Sequence, residues 1–275
     1  MKRLLLLLPI CLCFAPQNAT EALDVPDGTP VVMLGSNEKP TPEQFSQLVR
    51  KDIVAALAAG IRRYRAEVRD YTCLMKKQER IKGRLRKPEV VFCAYREKPF
   101  SVLMEWKAGD SKAAASLFVE GENGDEILVA PSGRFEMMAL KAVGKHYVSR
   151  AVSHPEVREA SRYTVHEFGL SRGMERTYTA WKAAQQAGAL HVEYLGEKPI
   201  LELDGRVCHV IHRTVDPPEE DGLSDLTLYI DRENWLQTGS VLKEGDQLIG
   251  TYYFADLRIN PTLPAERFKP DVLKR

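Results

Sequence analysis

The sequence predicts an α+β fold, a strongly curved antiparallel sheet of about ten strands with helices on its concave side. Three observations carry this. An apolar stripe of Phe45, Val49, Ile53, Leu57, Ile61, Tyr64 and Val68 recurs at helical spacing ahead of any strand signal. Two long stretches of period-two alternation follow, each cut by turn residues as an antiparallel meander requires, with a helical insertion between them. Several strands are apolar on both faces: Leu226, Leu228 and Ile230 oppose Tyr229, while Leu248, Tyr252 and Phe254 oppose Ile249, Tyr253 and Leu257. Such a sheet must be covered on both sides or fold around something.

In chain order, Lys2 and Arg3 followed by the apolar run Leu4–Phe14 read as a secretory signal. The run is shorter than the ~20 residues that span a bilayer. Cleavage is expected after Ala22, giving a signal peptide at 1–22, a Pro/Gly-containing flexible arm at 23–40 and one domain at 41–275. The expected location is periplasmic or secreted. Losing Lys2, Arg3 and Glu21 takes the 39 basic and 38 acidic residues to 37 of each. A neutral chain has no bulk attraction to nucleic acid, and a monomer is expected.

Thr41-Pro42-Glu43-Gln44 has the pattern of a helix start with a capping box, and one long helix is expected over Thr41–Val68. Asp70–Trp106 reads as three strands. Tyr71, Cys73 and Met75 alternate with Thr72, Leu74 and Lys76, and Val91, Cys93 and Tyr95, then Phe100, Val102, Met104 and Trp106, alternate in the same way; the turns fall at Lys82-Gly83-Arg84 and Lys98-Pro99. Ala114–Glu120 and Glu126–Ala130 flank a Gly/Asn turn, and Arg134–Leu140 continues as strand after Pro131-Ser132-Gly133. His154–Gly188 reads as helical, one piece beginning at Glu167–Gly169 and another at Glu175–Gln186. Strands return at His191–Leu195 and Ile200–Leu203. Asp204-Gly205 turns into Val207–Val215, and Leu226–Asp231, Gln237–Lys243 and Gln247–Ile259 complete a second meander. The tail from Asn260 holds three prolines and reads as loop.

No residue pattern points to a cofactor, a metal or a catalytic group. His209 and His212 are three apart on a strand and point to opposite faces. Ser132 sits in a turn without the setting of a nucleophile elbow. Glu219-Glu220-Asp221 lacks the ligand spacing of a calcium loop. Lys76, Lys77, Arg80, Lys82, Arg84, Arg86 and Lys87 make the first hairpin basic and read as a solvated tip, with anionic lipid as the sharper reading. Of the three cysteines beyond the signal, Cys73 and Cys93 lie equally far from Gly83 and are the disulfide candidate. A bridge to Cys208 and no bridge at all remain open. The set with functional reach is apolar: Val102, Met104, Trp106, Phe118, Leu228, Ile230, Tyr252 and Phe254 line a cavity if the sheet curves around one, and are plain core if the helix fills it.

Asp70-Tyr71-Thr72-Cys73, Glu97–Val102, Arg162-Tyr163 before Glu167–Leu170, Asp204-Gly205-Arg206 before Cys208, and Leu228–Asp231 occur in order. Together they resemble an exported bacterial family, the domain of unknown function 1571, over about Ile53 to Phe268. One departure is Gln237, where that resemblance leads one to expect a proline. The family is in turn similar in fold to the periplasmic lipoprotein carrier LolA, which implies an unclosed β-barrel with a helical lid over a face that holds acyl chains. The expected function is therefore binding of a hydrophobic ligand, a lipid or a lipoprotein acyl chain, in the cell envelope, and no catalysis. The alternative is an envelope protein-interaction or sensor module.

Overall fold

Thr41 opens the described chain with the expected capping box: its N–H donates to Gln44 Oε1 at 2.7 Å, and the Gln44 N–H donates back to Thr41 Oγ1 at 3.3 Å. The computed structural model describes residues 41–274; the signal peptide expected at 1–22 and the arm at 23–40 lie outside the described residues. The single helix expected to Val68 is two, α1 (Pro42–Lys51) and α2 (Ile53–Glu67). Asp52 leaves helical geometry at φ −155°, ψ 95°. Its N–H closes α1 on Leu48 O, and its carboxylate caps α2 by accepting from the Ala55 N–H at 3.0 Å. A short acidic side chain is more stable as an N-cap than inside a helix. The apolar stripe continues across the break, so periodicity alone does not reveal it.

The strands are β1 (Asp70–Ile81), β2 (Arg84–Leu85), β3 (Glu89–Arg96), β4 (Ser101–Ala108), β5 (Ala113–Val119), β6 (Glu126–Pro131) and β7 (Val148–Ala151), then β8 (His191–Ile200), β9 (Arg206–Thr214), β10 (Asp225–Asp231), β11 (Gln237–Glu244) and β12 (Gln247–Ile259). All twelve form one curved antiparallel sheet in the order β7-β6-β5-β4-β3-β1-β12-β11-β10-β9-β8, with β2 pairing only β1. The two expected meanders are joined where β1 pairs with β12, and β7 and β8 are free edges, so the sheet does not close into a barrel.

Three expectations are corrected. Arg134–Leu140 is not strand but part of helix α3 (Arg134–Ala142); its Met-Met-Ala-Leu run favours helix, and it leaves the sheet before β7 returns to pair with β6. The insertion is a short α4 (Pro155–Arg158), a 3-10 turn at Val165–Glu167 and one helix α5 (Leu170–Gln186), which starts at Gly169 rather than Glu175. Gly169 has φ +127°, and a Cβ there would sit 2.8 Å from the Tyr95 ring, so only glycine lets α5 begin this close to the sheet. Finally, β8 runs on to Ile200, and Leu201–Leu203 is a 3-10 turn rather than a strand.

Each face of the sheet is covered over part of its area, which accounts for strands apolar on two sides. On the concave side α1, α2 and α5 pack into a core that includes Phe45, Leu57, Ile61, Tyr71, Met174 and Trp181. Phe45 stacks on Trp235 at 4.6 Å and Tyr71 on Tyr95 at 4.6 Å. On the convex side the tail is not loose loop: two 3-10 turns, Ala265–Phe268 and Pro270–Leu273, bury Phe268 and Leu273 against Leu103, Leu117 and Leu128. Tyr229 and Tyr253 meet there at 5.7 Å beside Ile200 and Leu203.

Candidate functional site

The helices do not cover the whole concave face. Beyond them the sheet opens into a groove of about 3110 Å³, some three times the ~1,000 Å³ at the upper end of drug-sized ligand sites. Register builds its floor. Trp106 lies opposite Val91, Val91 opposite Met75 and Met75 opposite Phe254, a continuous apolar row across β4, β3, β1 and β12. A second row runs from Met104 through Ser116 to Val129. Met104, Trp106, Ile127, Val129 and Phe254 are only half-buried and line the groove. Fully burying such a side chain is worth about 1.5–3 kcal/mol over leaving it exposed, and each half-buried one here forgoes part of that.

Of the eight apolar residues expected to line a cavity, Met104, Trp106, Leu228, Tyr252 and Phe254 are on the groove wall. Val102, Phe118 and Ile230 are buried in the core and do not reach it. Phe118 lies under the insertion, its ring edge-on to His166 at 4.9 Å.

Reading the hairpin as a uniformly solvated basic tip is corrected at Lys77. Strand alternation carries Tyr71, Cys73 and Met75 on to Lys77 and Glu79, so both charges point into the concave face, with side-chain exposures of 7% and 4%. Lys76 points the other way, to Asp204 at 3.0 Å. Lys77 Nζ pairs with Glu79 at 2.7 Å and with Glu89 at 3.4 Å. Glu79 also accepts from Tyr252 OH at 2.7 Å, Ser161 Oγ at 3.0 Å and the Arg162 N–H at 3.3 Å. Burial pushes the Glu79 carboxyl up, but the Lys77 ammonium and the hydroxyls of Tyr252 and Ser161 outweigh it and hold the group below the ordinary range. The Tyr252 phenol is driven far up by burial and by the Glu79 charge beside it.

This network fastens the insertion over the groove. Ser161 and the Arg162 backbone hang on Glu79. To one side Glu159 is held by Lys82 at 2.7 Å, and its carbonyl accepts from Arg86 at 3.0 Å. To the other side Arg162 pairs with Asp221, in the loop between β9 and β10. A serine hydroxyl 3.3 Å from a lysine has the parts of a nucleophile and its base. Here the ammonium is paired with Glu79 and Glu89 and donates to the hydroxyl, and the hydroxyl donates to Glu79, so both groups are engaged in the same network. Sequence spacing did not bring Lys77, Glu79, Ser161 and Tyr252 together. The available signal was the strand phase, which puts residues 77 and 79 on the same face as 71, 73 and 75.

The cysteines follow the same register. Cys73 lies opposite Cys93, and both are buried free thiols, as is Cys208. The Cys73 thiol is pushed well up by its hydrogen bond with Cys93 and by burial. Cys208 on β9 is four strands away from β1, about 19 Å at ~4.8 Å per strand, beyond the reach of a disulfide.

No curated protein matches the sequence. Among solved structures, the chain is similar to an uncharacterized conserved protein from Thermus thermophilus (7% identity, TM-score 0.42, covering 79% of this chain and 93% of that one). It is also similar to LprF from Mycobacterium bovis (13%, 0.40, 82% and 98%) and to a LolA superfamily protein from Nitrosomonas europaea (10%, 0.35, 78% and 97%). The family model described as protein of unknown function, DUF1571, matches residues 68–273, from the end of α2 through the convex-face tail, and the chain belongs to that family.

Proposed function

We propose that the protein binds a hydrophobic ligand, a lipid or the acyl chain of a lipoprotein, in the cell envelope after export by its N-terminal signal, and that it does so without catalysis. The groove carries this reading. Its floor is apolar, half-buried and rich in methionine and aromatic side chains, which adapt to a flexible chain. The buried charges at its floor, Lys77, Glu79 and Glu89, are paired with one another and with Tyr252, while further charged side chains such as Arg84, Lys112 and Glu136 stand at its exposed margin. A protein-interaction module on the same fold calls for a dry, filled space between sheet and helices; the open floor beside α5 favours the ligand instead. Native mass spectrometry of protein purified from its own envelope is expected to show bound lipid, displaced on delipidation and replaced by fluorescent fatty acid. Trp106→Asp places an unpaired charge on the floor and is expected to abolish uptake. Lipid-free protein that also takes up no fluorescent fatty acid would refute the proposal.

A further inference from the structure

The rim of the groove is unlike its floor. Of the four large apolar side chains most exposed among the described residues, three are on α3 or its C-cap: Phe135 at 86%, Met138 at 66% and Val143 at 67%. Helix α3 buries no residue fully and sits astride the edge of the sheet. One face, with Glu136, Ala139 and Leu140, lines the groove. Met137 turns to the convex-side cluster. The remaining face, carrying Phe135 and Met138, meets only solvent.

The rim is also basic. Antiparallel pairing brings the β1–β2 hairpin, the β4–β5 loop and the start of α3 to the same end of the sheet: Lys77 pairs Glu89, Val90 pairs Ala108, and Ala113 pairs Pro131. The Ser132 N–H donates to Lys112 O, and Lys87 pairs with Asp110, tying the three together. Arg84, Lys112, Arg134, Lys141 and Lys145 are exposed here without an ion pair among the described residues. Two nearby acids are engaged, Asp110 by Lys87 and Glu159 by Lys82; Glu136 in the first turn of α3 is exposed and leaves the rim basic on balance.

We infer that this rim docks on an anionic phospholipid bilayer, with Phe135 and Met138 entering the headgroup region and the basic side chains facing lipid phosphate. An apolar helix face flanked by lysine and arginine is the composition of an interfacial anchor, and each basic residue near an anionic surface is attracted to it. A protein partner with an acidic rim is the competing occupant. The bilayer is favoured because the exposed apolar face of α3 is flanked by several lysine and arginine side chains unpaired among the described residues, a charge complement to lipid phosphate over a broad surface. The inference stands on exposure and charge, not on what the groove holds.

The test is flotation of purified, processed protein with vesicles of phosphatidylglycerol and phosphatidylcholine in equal parts, beside pure phosphatidylcholine. Binding to the anionic vesicles is expected, weakening as salt shortens the screening length from about 10 Å at 0.1 M to about 3 Å at 1 M. Phe135→Ser/Met138→Ser is expected to lose at least about tenfold in affinity. Leu201→Ser, which removes an equally exposed side chain in the β8–β9 turn (85%), should bind as the parent does. All these residues are on the surface, so each variant should fold, and fatty-acid uptake by the double variant reports on the groove separately. Equal binding to both vesicle types, no binding at all, or equal losses for the α3 and Leu201 variants would each overturn the inference.

Discussion

Glu79→Gln tests whether the buried charge network, rather than apolar contact, holds the insertion over the groove. The carboxylate takes hydrogen bonds from Lys77, Tyr252, Ser161 and the Arg162 backbone. Glutamine keeps the shape but offers one acceptor oxygen in place of two and no charge. Lys77 is left with Glu89 alone, at 3.4 Å. Breaking a buried ion pair costs about 3–5 kcal/mol; because Glu89 remains, the lower end applies, about 3 kcal/mol. For a chain of this size, each 1 kcal/mol lowers the melting temperature by about 2–4 °C, so a fall of about 6–12 °C is expected by circular dichroism. Amide exchange should rise first at residues 159–164. The triple variant Lys77→Met/Glu79→Leu/Glu89→Gln removes all three charges of the network, so none is orphaned, and should recover part of the loss. A melting point for Glu79→Gln within 2 °C of the parent, with exchange at 159–164 unchanged, would refute the reasoning.

Acidification should act in two stages. His209 is fully buried beneath Phe45; burial holds its imidazole below 6.5 against the pull of Glu197. Its contribution is therefore complete above 6.5 and is lost as pH falls through the lower folded value, and the depressed Glu79 carboxyl behaves the same way below 4.5. Urea midpoints should drop in both windows, with His209→Gln flattening the upper and Glu79→Gln the lower; midpoints flat from neutral to acid pH would contradict this. Gly60→Ala should destabilise by about 1–2 kcal/mol despite better helix propensity, because the new Cβ would sit 2.7 Å from the Trp235 carbonyl oxygen, whereas Gly173→Ala, with open space around it, should gain about 0.5–1 kcal/mol. Thermal melts of both variants decide it, and a stabilised Gly60→Ala would contradict the close approach of α2 to Trp235. We propose that oxidation joins Cys73 to Cys93, the pair in register, closing a loop of about 20 residues worth about 3 kcal/mol; a bridged peptide containing Cys208 on non-reducing mapping would contradict the strand order.

The antiparallel meanders, their main turns and the capping box at Thr41 were legible because each is written in local residue spacing. The break at Asp52 carried a readable signal, an acid directly ahead of an apolar run, but the uninterrupted stripe masked it. Helix α3 was hidden because Arg134, Phe135, Glu136 and Met137 alternate polar with apolar after a turn, while the same stretch also fits a helix. Five of the eight apolar residues lie on the groove wall, where strand phase and position both point inward. Val102, Phe118 and Ile230 share that phase, but what lies above them is set by the insertion and by α1 and α2, which alternation does not report. The Lys77–Glu79–Ser161–Tyr252 network bonds residues up to 173 positions apart; the pairing of β1 with β12 brings Tyr252 beside Lys77, and the fold-back of the insertion brings Ser161.

Groove occupancy is tested most directly by tryptophan quenching with a brominated fatty acid. Of the three tryptophans, Trp106 is on the groove floor, Trp181 lines the wall near Arg213, and Trp235 is buried against Phe45 away from the groove. In Trp181→Phe/Trp235→Phe protein, where Trp106 alone emits, saturable quenching at one fatty acid chain or more per protein is expected, while protein retaining only Trp235 should be quenched little. A Trp106 signal unmoved by brominated lipid, or quenched no more than that of Trp235, would contradict a ligand in the groove.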